Sequence, residues 1–84
     1  MDLASQAIRM QHYKNLSGDS GVIAYEIGRD YIDIKFKDGG RYRYDYQTPG
    51  QQDVETMKEL AQQGADLATY INKYVRDRFA MKLS

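Results

Sequence analysis

The 84 residues carry twelve basic and twelve acidic side chains, a formal net charge of zero, and no cysteine. A chain this short folds as one domain and buries only about 60% of its unfolded surface, which leaves little room for a deep catalytic cleft. Balanced charge excludes a nucleic-acid binder that relies on an overall basic excess, and the missing cysteines exclude disulfides, thiolate catalysis and cysteine-based zinc sites.

The opening residues MDLASQAIRMQHYKN lack the apolar stretch of a secretion signal. No apolar run approaches the roughly 20 residues that span a bilayer, so the expectation is a cytoplasmic protein without a membrane partner. Leu3, Ala7 and Met10 stand at helical spacing behind Asp2, which predicts a short helix within 2–14. Asn15 to Gly21 is rich in turn formers and leads into the main body.

VIAYEI (22–27) and YIDIKFK (31–37) alternate as strands do, the first with Ile23, Tyr25 and Ile27 on one face, the second with Ile32, Ile34 and Phe36. Gly28-Arg29-Asp30 and Asp38-Gly39-Gly40 supply the turns between strands. In RYRYDY (41–46), Tyr42, Tyr44 and Tyr46 share one face and Arg41, Arg43 and Asp45 the other. Pairing Phe36 with Tyr42, Ile34 with Tyr44 and Ile32 with Tyr46 puts the tyrosines on the apolar face, and a slip of one residue would set arginines against isoleucines.

Thr48, Pro49 and Gln51 have the order of a capping box. Val54, Met57, Leu60 and Ala61 form a helical stripe that Gly64 ends. Asp66 is placed as the N-cap of a second helix with the stripe Leu67, Ile71, Tyr74, Val75 and Phe79. These elements predict an α+β domain: a three-stranded antiparallel β-meander (about 22–28, 31–37 and 40–46) followed by two α-helices packed on one face, with an extra N-terminal helix allowed.

Several groups invite a chemical reading. GDSG (18–21) copies the surroundings of a serine-protease nucleophile, but that chemistry needs a histidine base and an oxyanion hole on a far larger scaffold. The one histidine, His12, has no partner in the sequence, and Ser20-Gly21 reads as a turn. Glu26, Asp33 and Asp45 align across the polar face in the expected register; pairing with Lys35 and Arg43 accounts for them better than a cation does. Lys35, Lys37, Arg41 and Arg43 cluster on that face as the one local patch dense enough for phosphate contact. Tyr42 and Tyr44 point away from it, whereas a base-stacking platform presents aromatics and cations together. They read as core. Lys73, Arg76, Arg78 and Lys82 gather toward the end of the last predicted helix, where cations suit its dipole.

SGVIAYE (20–26), IDIKFKDGGRYRY (32–44) with its Tyr-x-Tyr, Pro49 and YINKYVRDRF (70–79) together resemble the KTSC domain. That small domain stands at the C-terminus of some lysyl-tRNA synthetases and alone in bacterial and phage proteins. The resemblance covers about sixty residues, dividing the chain into an extension (1–19) and a KTSC-like domain (20–84). Where the family shows a serine and, two residues on, a glycine before its last helix, this chain has Asp66 and Ala68, and the stretch from Pro49 to Asp66 is a few residues longer. Aspartate for serine keeps a cap, which implies that the family's serine is structural. No catalytic residue, metal or cofactor carries over. The resemblance implies RNA or tRNA as a partner. The expected function is a small non-enzymatic binding module, RNA-binding by the resemblance; the alternative is a protein–protein interaction or structural module of bacterial or phage origin, and a hydrolase is the disfavoured second alternative because no nucleophile–base pair or phosphate loop is visible.

Overall fold

In the computed structural model, which describes residues 10–16, 18 and 20–84, the alternating segments form the centre of one antiparallel sheet. Its strands are β1 (Gln11–His12), β2 (Val22–Ile27), β3 (Tyr31–Phe36), β4 (Arg41–Asp45) and β5 (Met81–Lys82), arranged in chain order. Helix α1 (Gln51–Gln63) and helix α2 (Leu67–Tyr70), which continues as a π-helical turn (Ile71–Val75), follow β4. The α+β class holds, with five strands rather than three. The two added strands are too short to show alternation in a sequence. Main-chain bonds extend them: Tyr13 N–H to the Ile23 carbonyl (2.9 Å), and Ala80 and Leu83 N–H to the Arg43 and Arg41 carbonyls (both 2.7 Å).

Residues 1–9 of the expected N-terminal helix lie outside the described residues. A helix does not run on to residue 14, because Gln11 and His12 pair with Tyr25 and Ala24 on the edge of β2. Tyr13 then enters the core at 1% exposure.

The β3–β4 register differs from expectation by two residues: Ile34 faces Tyr42 and Ile32 faces Tyr44. A two-residue shift preserves the faces, so hydrophobic patterning cannot detect it. The turn decides. Gly39 N–H reaches the Phe36 carbonyl (2.9 Å) and Phe36 N–H the Gly40 carbonyl (2.8 Å), closing a three-residue loop with Gly39 at φ 99°. In β2, Val22 faces Phe36 while Ala24 faces Lys35, a bulge that leaves Ile23 unmatched. Val22 therefore takes the fully buried core position that strict alternation assigns to the other face.

Both helices cover the face bearing Tyr25, Ile32, Ile34 and Tyr44, and Val54, Met57, Ala61, Leu67, Ile71 and Val75 complete one core. The expected Thr48–Gln51 capping box is replaced. Asp45 Oδ1 accepts the Gln47 and Thr48 N–H groups (3.0 and 2.9 Å), and Gly50 precedes α1 without a side-chain cap. Gly64 ends α1 in the left-handed region, as its place after the stripe implies.

The last helix stops at Val75 rather than reaching Phe79. Its wide turn places Ile71 and Val75 in the core and leaves Tyr74 59% exposed. Arg76 follows at φ 57° and turns the chain away. Phe79 still packs on the core, 4.6 Å from the Tyr42 ring and 6.4 Å from Tyr44.

Asp66 does not cap α2 with its side chain. It sits at φ 69° rather than in the extended conformation of a capping residue, and the first N–H of the helix, that of Leu67, is bound by the Tyr13 hydroxyl (3.3 Å). Its conformation, one that glycine adopts freely, is therefore its contribution. Asp66→Gly should hold stability within about 1 kcal/mol, and Asp66→Ser should lose more, about 1–2 kcal/mol, despite its capping hydroxyl. Urea melts showing serine tolerated and glycine costly would restore the cap.

Candidate functional site

The polar face of the sheet centres on Asp33, which cross-strand pairing places between Glu26 of β2 and Arg43 of β4. Arg43 donates from Nε to Asp33 Oδ1 (2.8 Å) and from Nη2 to Oδ2 (3.0 Å). Its guanidinium lies 4.0 Å above the Tyr31 ring, and Tyr31 donates its hydroxyl to Glu26 Oε2 (3.3 Å). The ring itself rests on Gly28, where an added Cβ would stand 2.1 Å from a ring carbon, so only glycine admits this stack. Asp33 is 5% exposed although it belongs to the polar face. Its hydrogen bond holds the Arg43 pKa above the ordinary value, and burial, followed by the Glu26 charge, raises that of Tyr31.

This closed network removes Arg43 from the predicted cationic patch and breaks the expected row of three acids. Asp45 lies opposite Tyr31 instead and spends its carboxylate on the loop that follows. Lys35 and Arg41 face each other directly, and Lys37 stands exposed at the start of the hairpin turn. Among the described residues the ion pairs are Arg43–Asp33, Lys58–Glu55 and Arg78–Asp53, so Lys35, Lys37 and Arg41 have no carboxylate partner there. The buried Nε of Arg41 also lacks a hydrogen-bond acceptor among them.

Tyr42 and Tyr44 face the opposite side. Tyr44 is 2% exposed, and burial, with a smaller effect of Tyr42, pushes its pKa up to about 12. Tyr42 is half-buried at the rim, with its ring 5.8 Å from Phe36. Beside it a groove of about 230 Å³ opens between the end of the sheet and the π-helical turn.

The second basic group is dispersed. Lys73 and Arg76 lie in or just after the π turn, Arg78 binds Asp53 (3.4 Å), and Lys82 of β5 places its ammonium 5.9 Å from the Tyr42 ring centre. The last two lie beyond the helix end, so its dipole does not explain them. Of GDSG, Asp19 lies outside the described residues. Ser20 Oγ accepts the Val22 N–H (3.1 Å), and His12 is exposed on the edge strand with no hydrogen bond to Ser20 among the described residues. The serine shapes the entry to β2.

One polar cluster is only partly signalled in the sequence. Lys58, 9% exposed, donates to the Arg29 carbonyl (3.0 Å) and to Glu55 Oε2 (2.9 Å), and Tyr46 donates its hydroxyl to the same oxygen (2.6 Å). These bonds pull the Glu55 pKa down, the Tyr46 contribution being largest. The i,i+3 spacing of Glu55 and Lys58 is readable; the carbonyl 29 residues away is not. The cluster ties α1 to the β2–β3 turn.

Among the described residues no helix is long and apolar enough to cross a membrane. No family model matches the chain, and neither a curated protein nor a solved structure matches it.

Proposed function

We propose that the chain is a non-enzymatic binding module that holds single-stranded RNA through phosphate contacts on Lys35, Lys37 and Arg41. The observation that carries this reading is the direct opposition of Lys35 and Arg41, flanked by Lys37, with no acid between them among the described residues. Like charges facing across a sheet destabilise it, and an anion laid over them relieves the repulsion. Arg43 sits one step away with its own carboxylate, so the positive field is confined to the hairpin end. The resemblance to the KTSC domain of lysyl-tRNA synthetases favours RNA over other polyanions. The engagement of Ser20 Oγ with main chain supports a binding role over hydrolysis.

Lys35→Glu tests it with two readouts that should move in opposite directions. Placing an acid opposite Arg41 should raise stability by roughly 0.2–1 kcal/mol while weakening RNA binding. With three phosphates neutralised, the wild-type slope of log affinity against log salt should be about −2, and the variant's shallower. Fluorescence anisotropy of a labelled oligouridylate at several salt concentrations measures both. RNA affinity unchanged in Lys35→Glu, or no RNA binding by the wild type at low salt, overturns the proposal.

A further inference from the structure

We propose that the groove between the β3–β4 hairpin and the π-helical turn receives one unpaired nucleobase of the bound strand, an inference that rests on the RNA reading above. At about 230 Å³ the groove is smaller than the roughly 300–1,000 Å³ of drug-sized pockets, and it suits a single planar ring. Its apolar wall consists of Phe36, Tyr42 and Phe79, all packed against the core yet only partly buried. Their rings meet at 68° and 52°, edge-on and tilted rather than stacked face to face. Every base has a flat face, which makes aromatic stacking the usual way to hold an unpaired one.

The opposite wall is polar. Asn72, Arg76 and Asp77 line it beside the buried Ile71, and neither the Asn72 nor the Arg76 side chain has a hydrogen-bond partner among the described residues. An exposed asparagine amide offers a donor and an acceptor side by side, the pattern that matches a base edge. This wall is also where the backbone is least ordinary: Ile71–Val75 form the π turn, and Arg76 sits at φ 57° and ψ −124°, a region that residues with a Cβ rarely adopt. Both features concentrate at functional sites, since a regular helix end would be easier to build.

Charge connects the groove to the phosphate site. Phe36 lies between Lys35 and Lys37, Tyr42 follows Arg41, and the Lys82 ammonium stands over the Tyr42 ring. Within the groove Arg76 and Asp77 offset each other, and Lys37 and Lys82 add positive charge on the sheet side against Asp38. A strand whose phosphates cross Lys35 and Arg41 can round the hairpin end and turn a base inward.

The test compares an oligouridylate with an abasic ribose-phosphate strand of equal length, each titrated by anisotropy. The wild type should bind the abasic strand about tenfold more weakly, the loss of one stacked base. Asn72→Ala lies on the surface, and Arg76→Gly suits the left-handed backbone, so both variants should stay folded. Each should narrow the difference between the two strands by a few-fold, because it removes a base-edge contact and leaves the stacking rings in place. Equal binding of the two strands by the wild type overturns the groove and leaves the phosphate site standing. A base preference that keeps its full size in both variants also overturns it. Loss of the phosphate site alone would show as full affinity and full base preference in Lys35→Glu.

Discussion

Tyr44→Ala should lose about 3–5 kcal/mol in urea or thermal melts, as removal of a buried aromatic does. For a domain of this size that is a large share of the total, since marginal stability of about 0.05–0.15 kcal/mol per residue is usual. The ring stands opposite Ile32 in the middle of the sheet and meets the Phe79 ring at 88°, 6.4 Å between centres. The same burial predicts an alkaline transition. Tyr44 ionises near its ordinary pKa of 10.0 in the unfolded chain but at about 12 when folded. Its contribution is complete below pH 10 and disappears as pH rises through about 12, because the unfolded state releases the proton first. In ultraviolet titration, the phenolate absorbance that Tyr44→Phe removes should develop only as the fold is lost. A freely titrating set of eight tyrosines, or a stable Tyr44→Ala, would place Tyr44 outside the core.

Tyr13 should be as sensitive, for a different reason. Its side chain is fully buried, its N–H closes the edge of β2, and its hydroxyl accepts the first N–H of α2. Tyr13→Ala should cost about 3–5 kcal/mol through lost packing. Tyr13→Phe keeps the ring and strands the Leu67 N–H, so it should cost about 1–3 kcal/mol. Amide exchange at Leu67 separates the two effects: in Tyr13→Phe it should accelerate more than exchange in β3. A phenylalanine variant as stable as wild type would remove the hydroxyl from its capping place.

The contrast between these tyrosines shows what the sequence could reveal. Tyr44 stands in a six-residue alternation, and a period of two assigns its face whatever the register. Tyr13 stands in no pattern, because the strand beside it is two residues long and its partner is 54 positions away. The cationic patch was legible as a face but not as a circuit. Whether Arg43 meets Asp33 or Lys35 meets Arg41 depends on the two-residue setting of the hairpin, and the Gly39 turn fixes that without changing the alternation. The Asp66 cap failed because identity was read where conformation mattered: an aspartate suits a helix start and a left-handed residue alike. The groove could not be anticipated, because it depends on the π turn and on Arg76, which end the helix before Phe79 while leaving Phe79 in the core.

The two shortest strands limit how this molecule can be recognised. A sheet normally advertises its outer strands, whose unused amides and carbonyls invite a peptide or another chain to add itself on. Here Gln11–Tyr13 occupies that margin on one side and Ala80–Ser84 on the other, each with a few main-chain bonds. A visitor seeking a backbone template finds it already taken along the middle of the sheet. Along the centre of the sheet, the described residues offer rings, amides and charges more readily than an open strand edge.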